Sequence, residues 1–500
     1  MKRTAVINVV GLTESLLGPH LPRITAFAQR GAQATIRPAF PAVTCTAQAD
    51  YLTGVAPARH GIVGNGWYHR ELAEVQFWKQ SDRLVGARKL WDELRGRDRR
   101  FTCAKLFWWF NMYSTADFAI TPRPLYPADG RKVFDIYTWP FSLRPEIKAD
   151  LGEFPFAAFW GPAAGRRSPQ GAPDAASRWI AQSARWIEDR HQPTLSLIYL
   201  PHLDYNLQRF GPRLTAPAAG ARSAAEAKAE SVSPPRAGGG DLNPAILPDL
   251  QAIDAIVGDL LDFFLKRAVR VVLLSEYGLT PVRRPVHLNR IFRREGWLAI
   301  KEELGREILD GGASRAFAVA DHQVAHIYLN DPSLASTVRS LLERQTGIEA
   351  ILGPAEKTAA GLDHPRAGDL IAVAAEDAWF TYYYWLDDAV APDFARTVDI
   401  HRKPGYDPVE LFLDPARRFI QGRIAWRLLQ KKLGFRMLMD VVPLDAGLVQ
   451  GSHGRRPAHP ADWPVLISSE AALLPERQMD STAVYSILRR HVLDSDERVG

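Results

Sequence analysis

The stretch FPAVTCTAQADYLTGVAPARHGIVGN, residues 40–65, decides how this sequence is interpreted, because it combines a turn, a helix start and a glycine-rich loop. Pro41 turns the chain, since proline cannot lie inside a helix or a central strand. The residues after Thr44 predict a helix over 46–52. Backbone N–H groups converge at a helix start, so a hydroxyl there lies where an anion such as phosphate is favoured.

Local chemistry leaves two interpretations of this stretch open. In the functional one, Thr44 is a nucleophile, and Asn65 at the end of the loop 60–65 stabilises an oxyanion. In the structural one, Thr44 caps the helix, as threonine commonly does, and the loop only connects two elements.

The composition indicates a folded chain with a large core. The 500 residues are 46% hydrophobic and 24% charged, which argues against general disorder. We take the net charge of +6 to be spread along the chain, which is not the signature of a nucleic-acid partner. The two cysteines, Cys45 and Cys103, support neither a disulfide framework nor a thiolate zinc site.

The hydropathy pattern predicts a cytoplasmic protein without a membrane partner. The apolar run behind Met1 ends by Gly11, which is too short for a secretory signal peptide. No run of about 18 apolar residues, the length that spans a bilayer, occurs in the sequence. The sequence carries no indication of an oligomeric state.

Apolar strands that alternate with helical patterns predict an α/β fold with a mostly parallel sheet and helices on both faces. Strands are predicted at 4–10, 34–37, 101–107, 194–200, 269–275, 316–320, 325–329 and 369–374, and helices at 175–190 and 250–267. We expect one domain over 1–455, with an irregular cap around 108–175 and a flexible loop over 213–245. The charged residues 456–500 are expected to be peripheral.

Polar residues at the carboxyl ends of the strands are the candidate site, because ligands of parallel sheets lie beyond those ends. They are His202, Asp204, Glu276, Tyr277, Asp321, His322, His326 and His453. Carboxylates and histidines gathered at one edge of a sheet are the ligands that a hydrolytic metal site needs. Any one of these histidines can equally be a structural core residue.

Several motifs, in this order, resemble the type I phosphodiesterase/nucleotide pyrophosphatase branch of the alkaline phosphatase superfamily. They are FPAVT ending at Thr44, Leu52-Thr53-Gly54, His60 to Asn65, Asp204 with Gly211-Pro212, and His453-Gly454. The 21-residue step from Thr44 to Asn65 also agrees with that family. The resemblance implies an α/β sandwich with two zinc ions, a Thr44 nucleophile, phosphoryl binding by Asn65, and metal binding by Asp204 and His453.

The sequence departs from this family at most of its metal-binding positions. Val10 stands where the family has a zinc-binding aspartate, and Gln208 stands where it has a histidine. Glu276-Tyr277 replaces the family's Asp-His, so Glu276 keeps a carboxylate that is one methylene longer. Valine cannot bind a cation, and a neutral tyrosine does so poorly.

One outcome for the site is a single metal ion. Asp204 and His453 would hold it, with help from Gln208 or His202. One divalent ion, zinc by the resemblance, can still polarise a phosphoryl oxygen.

Two further outcomes do not use that ligand pair. Asp321, His322 and His326, in the segment DHQVAH, would rebuild a metal site from residues outside the family motif. Alternatively no metal binds, and Cys45 beside Thr44 is a nucleophile whose thiolate is favoured by the helix N-terminus.

The sequence therefore predicts a phosphoester or phosphoanhydride hydrolase, of the phosphodiesterase or nucleotide-pyrophosphatase type, that acts on a small phosphorylated molecule. Its cofactor is expected to be one or two divalent ions, or none. Trp108 and Trp109 resemble the family's aromatic patch, where a flat leaving group stacks, or they belong to the core. The alternative function is a ligand-binding protein, or a transferase with altered chemistry, that retains the pocket.

Overall fold

The computed structural model describes residues 1–168, 171–214 and 240–493. The apolar run TAVINV forms strand β1 (Thr4–Val9), and every residue of it is buried, as expected for a strand covered on both faces. The strands that follow are β2 (Ala32–Arg37), β3 (Gly66–His69), β4 (Glu74–Phe77), β5 (Cys103–Leu106), β6 (Phe118–Pro122), β7 (Ile136–Trp139), β8 (Leu195–Leu200), β9 (Arg270–Leu274), β10 (Thr280–Pro281), β11 (Arg284–Val286), β12 (Ala299–Glu303), β13 (Arg306–Asp310), β14 (Ala316–Asp321), β15 (Val324–Leu329), β16 (Ile348–Leu352), β17 (Leu370–Ala374), β18 (Ala378–Phe380), β19 (Gly451–Ser452), β20 (Val465–Ser468) and β21 (Gln478–Asp480).

The α-helices alternate with these strands along the chain. They are α1 (Pro22–Arg30), α2 (Thr44–Thr53), α3 (Pro57–His60), α4 (Leu90–Arg97), α5 (Leu143–Leu151), α6 (Ala175–His191), α7 (His202–Phe210), α8 (Leu247–Leu265), α9 (Leu288–Arg294), α10 (Ala335–Glu343), α11 (Pro354–Ala359), α12 (Ile420–Lys432) and α13 (Val484–Leu493).

Strand β1 lies at the centre of a sheet that holds nine strands in the described residues, in the order β21-β2-β20-β9-β1-β8-β5-β6-β7. It pairs in parallel with β8 on one side and with β9 on the other. The pairs β5–β8, β5–β6 and β2–β21 are also parallel, whereas β20 and β7 run antiparallel to their neighbours. The carboxyl ends of β1, β8 and β9 therefore meet at one edge, where the candidate site is expected.

Two groups of helices cover this sheet. Helices α1, α6 and α7 contact α8, and α6 and α8 pack on β8 and β9. Helices α2 and α4 contact α13, which packs on β1. The apolar residues of both groups join those of the sheet in one large core. The predicted α/β class, with a mostly parallel sheet and covering helices, is confirmed.

The strands predicted at 316–320, 325–329 and 369–374 form, but they belong to a second sheet. Strands β14, β15, β17 and β16 pair in that order, all antiparallel, beside a second apolar core. Only His322 and Gln323 connect β14 to β15. A connection of two residues permits an antiparallel hairpin and no parallel pairing, so the prediction that these strands extend the parallel sheet is wrong.

Two predictions about irregular regions are also wrong. The cap around 108–175 contains β6 and β7, which extend the central sheet, and the helix α5, which packs on β7. Residues 456–493, the described part of the segment 456–500, are not peripheral, because β20 lies between β2 and β9 with all four of its residues buried. A strand of that length has too little periodicity to be recognised in the sequence.

The single domain over 1–455 stays a prediction. Most of the flexible loop predicted over 213–245 lies outside the described residues. A bridge between Arg213 and Leu242 joins the two flanks of that loop. Within the described ranges, no helix combines the length and the apolar character that crossing a membrane requires.

Candidate active site

Thr44 is the first residue of α2, a helix in which all residues are buried. The preceding residue, Val43, occupies the capping position, so the interpretation of Thr44 as a helix cap is wrong. The helix also begins two residues earlier than the sequence predicts. The Thr44 hydroxyl lies 3.3 Å from the hydroxyl of Tyr277, and Thr44 is only 3% exposed. Thr44 therefore presents its hydroxyl at a helix start without using it for capping.

Asn65 connects this helix start to the second sheet. Its side-chain Oδ1 accepts a hydrogen bond from the backbone N–H of Cys45 at 3.1 Å. Its amide Nδ2 and its backbone N–H donate to the two oxygens of Asp321, at 3.1 and 2.7 Å. Burial raises the pKa of Asp321 to about 6, although the hydrogen bonds from Asn65 favour the ionised form. Asn65 is thus held rigidly within reach of the start of α2.

Glu276 follows β9 directly and is fully buried. Its Oε1 accepts hydrogen bonds from the side-chain amides of Asn8 at 2.6 Å and Gln48 at 2.5 Å. Its Oε2 has no hydrogen-bond partner among the described residues. Burial raises the pKa of Glu276 to about 8, against smaller lowering effects of Gln48, Asn8 and the nearby Thr44 hydroxyl. This carboxyl group therefore has one oxygen fixed and one oxygen free, beside Thr44.

Asp204 lies in the first turn of α7, just after β8. Its Oδ2 accepts a hydrogen bond from the side-chain amide of Gln208 at 2.6 Å, and its Oδ1 accepts one from the Tyr277 hydroxyl at 3.3 Å. Burial raises the pKa of Asp204 to about 7, and these two hydrogen bonds lower it. The Tyr277 hydroxyl therefore bridges Asp204 and Thr44.

Aromatic rings fill the middle of the site. The ring of Tyr277 stacks on His453 with 3.6 Å between ring centroids and 8° between planes. His453 lies 3.7 Å from the ring of His322, which stacks on Tyr406 at 3.6 Å. Burial lowers the pKa of both histidines well below the usual value, so both rings are neutral.

Each of these two histidines is anchored through one nitrogen only. His453 Nδ1 donates to the carbonyl of Ala42 at 2.7 Å, and His322 Nδ1 donates to Asp321 Oδ1 at 2.8 Å. Neither Nε2 has a hydrogen-bond partner in the part of the chain that the structure describes. His322 also has a φ of 62°, a left-handed conformation that is strained for a residue with a side chain.

The donor set does not fit the zinc pair of the family that the sequence resembles. Val10 is buried in the main core and offers no donor, and Tyr277 turns the face of its ring to His453. Gln208 satisfies Asp204 with its amide. Residues 1–168, 171–214 and 240–493 contain no group of three His, Cys, Asp or Glu side chains that could hold a metal ion. The residues of the site therefore do not match that donor set.

Three of the predicted site residues do not join this group. His202 turns its Nε2 toward the Asp249 carboxylate on α8, 3.0 Å away at an angle too poor for a hydrogen bond. Both ring nitrogens of His326 bond to backbone groups, each at 3.0 Å, so no lone pair remains for a ligand. Trp108 is buried in the main core. The predictions of His202 and His326 as metal ligands, and of Trp108 as a pocket residue, are wrong.

Trp109, in contrast, lies beside the site. Its backbone N–H donates to Gln48 Oε1 at 2.8 Å, and the same Gln48 side chain donates to Glu276. The Trp109 ring packs against Trp78 with 4.8 Å between centroids, and Trp78 lies 6.0 Å from Tyr406. Its role in a substrate pocket stays a prediction.

The prediction that the helix start favours a Cys45 thiolate is wrong. The Cys45 side chain packs in a separate apolar cluster. Burial raises the pKa of the thiol well above its usual value, and the charges of Asp321 and Glu276 raise it further. Desolvation and two neighbouring carboxylates outweigh the favourable effect of a helix N-terminus.

The sequence analysis missed Asn8, Gln48, Tyr199 and Tyr406. Asn8 was detectable as the one amide inside the apolar run TAVINV, because a buried polar side chain needs a partner. Gln48 lies four residues after Thr44, which places both side chains on one face of α2. Tyr199, in β8, approaches the Thr44 hydroxyl, and the Tyr406 hydroxyl bonds to Gln208. Both reach the site only through the tertiary structure, and no local pattern marks them.

Comparisons with known proteins bear on the fold and the family of this chain. The phosphonoacetate hydrolase from Sinorhizobium meliloti 1021, in complex with phosphonoacetate, matches with a TM-score of 0.57 and 14% identity over 98% of this chain and 96% of that chain. Murine ectonucleotide pyrophosphatase/phosphodiesterase 5, in an inactive form in complex with AMP, matches with a TM-score of 0.54 and 13% identity over 100% and 96%. No curated protein sequence matches the chain. The structural likeness shows the fold, and a family model that matches residues 4–407 shows that the chain belongs to the type I phosphodiesterase/nucleotide pyrophosphatase family.

Proposed function

We propose that this chain is a phosphoester hydrolase in which Thr44 is the nucleophile and Glu276 accepts its proton. The observation that carries the proposal is that Thr44 begins α2 beside a buried carboxylate with one unpartnered oxygen among the described residues. A hydroxyl is a weak nucleophile until an adjacent base removes its proton. In the family, zinc takes the place of such a base. This chain does not retain the residue types that bind that zinc.

The proposed reaction has two steps, and Glu276 is the base in both of them. In the first, the Thr44 O–H proton moves to Glu276 Oε2 while Thr44 Oγ1 bonds to phosphorus, and the P–O bond to the leaving group breaks. Asn8 and Gln48 hold Oε1, which keeps Oε2 free for this transfer. The departing oxygen takes this proton from Glu276, which leaves the carboxylate ionised again. In the second step, water attacks the phosphorus and gives a proton to Glu276, the P–Oγ1 bond breaks, and Glu276 returns the proton to Thr44 Oγ1.

Developing charge on the phosphoryl oxygens is stabilised by fixed donors. The second N–H of the Asn65 amide takes no partner in the described part of the chain, while Asp321 holds the first. The positive end of the α2 dipole acts on the same oxygens. Donors that are already oriented by hydrogen bonds need little reorganisation during the reaction, and such stabilisation is usually the largest single catalytic contribution.

The proposed substrate is a small phosphodiester or phosphoanhydride. The family supports this class, and the solved relatives bind AMP and phosphonoacetate. The inactive murine relative has one threonine replaced by alanine, which supports a threonine as the reacting residue. Trp109 and Trp78 supply a flat surface on which an aromatic leaving group can stack.

Hydrolysis of bis(p-nitrophenyl) phosphate by Thr44 variants tests this proposal. Thr44→Ala should abolish turnover, whereas Thr44→Ser, which keeps a hydroxyl, should retain part of it. Thr53→Ala at the other end of α2 is the matched control, because its hydroxyl donates to the carbonyl of Ala49 and accepts from the backbone N–H of Val55, away from the site. Full activity of Thr44→Ala, with an unchanged melting temperature, would show that another residue is the nucleophile.

The second candidate function is ligand binding without turnover. The column of stacked rings from Tyr277 to Tyr406 and the 3% exposure of Thr44 favour it, because they leave little room for a substrate at the hydroxyl. Calorimetric titration of the wild-type protein with AMP separates the two functions. Saturable binding of AMP by a protein that hydrolyses no phosphodiester would support the second.

A further inference from the structure

Helix α12 lies on the outside of the molecule, and none of its residues is buried. Trp426, Leu429 and Leu433, which follows the last helical residue, are spaced by three and four positions and share one side of the helix. Their exposed fractions are 58%, 45% and 63%. A contiguous apolar stripe of this kind on a surface marks a site of interaction with a partner or a membrane.

The half-buried side of α12 carries charged residues beside the apolar Ile420 and Ile424. Arg423 and Arg427 are half-buried, and both pair with Asp440. Surface helices normally turn their apolar stripe to the core and their charged residues to water. The ion pairs with Asp440 therefore hold α12 with its apolar stripe outward.

The chain around α12 is strongly basic. Residues 415–439, here named the basic segment, contain seven Lys and Arg and no Asp or Glu, while the whole chain has a net charge of only +6. The positive excess is therefore concentrated here and not spread along the chain, as the sequence analysis supposes. Arg418, Lys431 and Lys432 are exposed beside the apolar stripe.

A second exposed apolar group adjoins the basic segment. The Arg436 guanidinium lies against Gly130, in the loop between β6 and β7. In the same loop, Lys132 lies over the rings of Tyr126 and Phe134, which are both mostly exposed. Aromatic rings and cationic side chains thus continue from α12 onto the edge of the central sheet.

We propose that the basic segment docks on an anionic lipid bilayer surface, with Trp426, Leu429 and Leu433 inserted at the headgroup level. Helices that lie in a membrane interface combine a Trp- and Leu-rich face with flanking Lys and Arg, and anionic lipids attract each exposed cation. This interaction goes beyond the proposed hydrolysis and does not depend on it. It departs from the expectation of no membrane partner, which considered only spanning segments and signal peptides.

The charge of the segment decides between a bilayer and a second copy of the chain. Two copies that meet through this face would bring together the exposed Arg418, Lys431 and Lys432 of each, with no acidic residue in the segment to neutralise them. Like charges at such short distances repel. An anionic headgroup layer supplies the opposite charge over the whole face.

Co-sedimentation of the full chain with vesicles tests the proposal. Binding should be at least about tenfold tighter to phosphatidylcholine vesicles that contain about 30% phosphatidylserine than to phosphatidylcholine alone, and about 0.5 M salt should weaken it. Replacing Trp426, Leu429 and Leu433 together by serine should lower binding about tenfold or more. Leu304→Ser is the matched control, because Leu304 is fully exposed at the turn between β12 and β13.

A second variant separates the charge from the apolar stripe. Lys431→Glu with Lys432→Glu should abolish the preference for anionic vesicles while the stripe stays intact. All of the substituted residues are exposed, so the melting temperature should not change. Three outcomes would each overturn the proposal. The wild type could bind both vesicle types equally, or the serine variant could bind as well as the wild type. The wild type could also be a dimer that binds no vesicles and that the serine substitutions dissociate.

Discussion

The start of α2 and the carboxyl ends of β8 and β9 form two halves of one site, and their polar groups are satisfied in different ways. At the start of α2, Asn65 bonds to Cys45 and Asp321, and the Thr44 hydroxyl lies 3.3 Å from that of Tyr277. At the strand ends, the ring of Tyr277 stacks on His453 where the resemblance implies a metal ligand. The residue types of the nucleophile half of the family pattern are retained, whereas most metal-binding positions carry other residue types.

The two halves share three buried acids whose pKa values are raised. Burial raises the pKa values of Glu276 to about 8, of Asp204 to about 7 and of Asp321 to about 6. A divalent ion would be the largest local charge and would keep these carboxyl groups ionised. In the proposed mechanism no such ion is needed, and Glu276 acts as the base in its ionised form, which places the activity near and above pH 8.

The largest expected effect is on catalysis by the base. Glu276→Gln keeps the size of the side chain and removes the proton acceptor, so kcat should fall about 10²- to 10⁴-fold. The hydrolysis of bis(p-nitrophenyl) phosphate measures it. Glu188→Gln, at another buried glutamate that lies outside the site, should leave kcat unchanged. An active Glu276→Gln would show that the two halves are not coupled through this carboxylate.

A smaller loss is expected from the donor at the helix start. Asn65→Ala removes the amide N–H proposed for the phosphoryl oxygens, so kcat should fall about 10²- to 10³-fold. Steady-state kinetics on the same ester measures it, with Asn330→Ala as control because that amide bonds only to backbone carbonyls. A kcat close to that of the wild type would show that Asn65 only positions Cys45 and Asp321.

The raised pKa of Glu276 predicts a pH-dependent change in stability. The folded state holds the proton up to about pH 8, while the unfolded state releases it near the usual value of 4.5, so the wild type loses stability between these pH values. The Glu276→Gln variant has no carboxyl group to titrate, so it does not lose stability in this way. In urea unfolding, the variant should therefore be more stable than the wild type by a few kcal/mol at about pH 9 and nearly equal at about pH 5.

The opposite sign of this stability difference would contradict the comparison between the two halves. A glutamate bound to a cation has a lowered pKa, so its ionised form would stabilise the fold as the pH rises. Glu276→Gln would then be less stable than the wild type at the higher pH.

The smallest effect is expected at Cys45. Its thiol is buried in an apolar cluster and its pKa is raised, so it contributes no nucleophile. Cys45→Ala should change kcat by no more than about twofold, because an uncharged thiol takes no part in the reaction. Loss of activity with an unchanged melting temperature would contradict this assignment, and reaction with iodoacetamide provides an independent check of thiol reactivity.

The central sheet and the strand ends could be predicted from the sequence because their signals are local. The unbroken run TAVINV predicts β1, and the spacing from Thr44 to Asn65 predicts the helix start and its partner. Asp204 and Glu276 follow from the rule that ligands lie beyond the carboxyl ends of parallel strands.

The contacts between distant segments could not be predicted in this way. Residue types exclude metal binding by Val10, but they do not reveal that Tyr277 stacks on His453 or that His326 is saturated by backbone groups. The antiparallel insertion of β20 between β2 and β9 depends on residues that lie far apart in the chain. Such contacts are fixed by tertiary packing, which no window of sequence contains.

The central claim is that Thr44 hydrolyses the ester without the zinc pair of the family. The most direct test is to measure the metal content and the chelator sensitivity of the purified wild-type protein. The protein is prepared without chelator, its metals are counted by mass spectrometry, and the hydrolysis of bis(p-nitrophenyl) phosphate is measured before and after treatment with EDTA. We predict well under one equivalent of zinc and an unchanged rate after EDTA. Two equivalents of zinc, with activity that EDTA abolishes and zinc restores, would contradict the account.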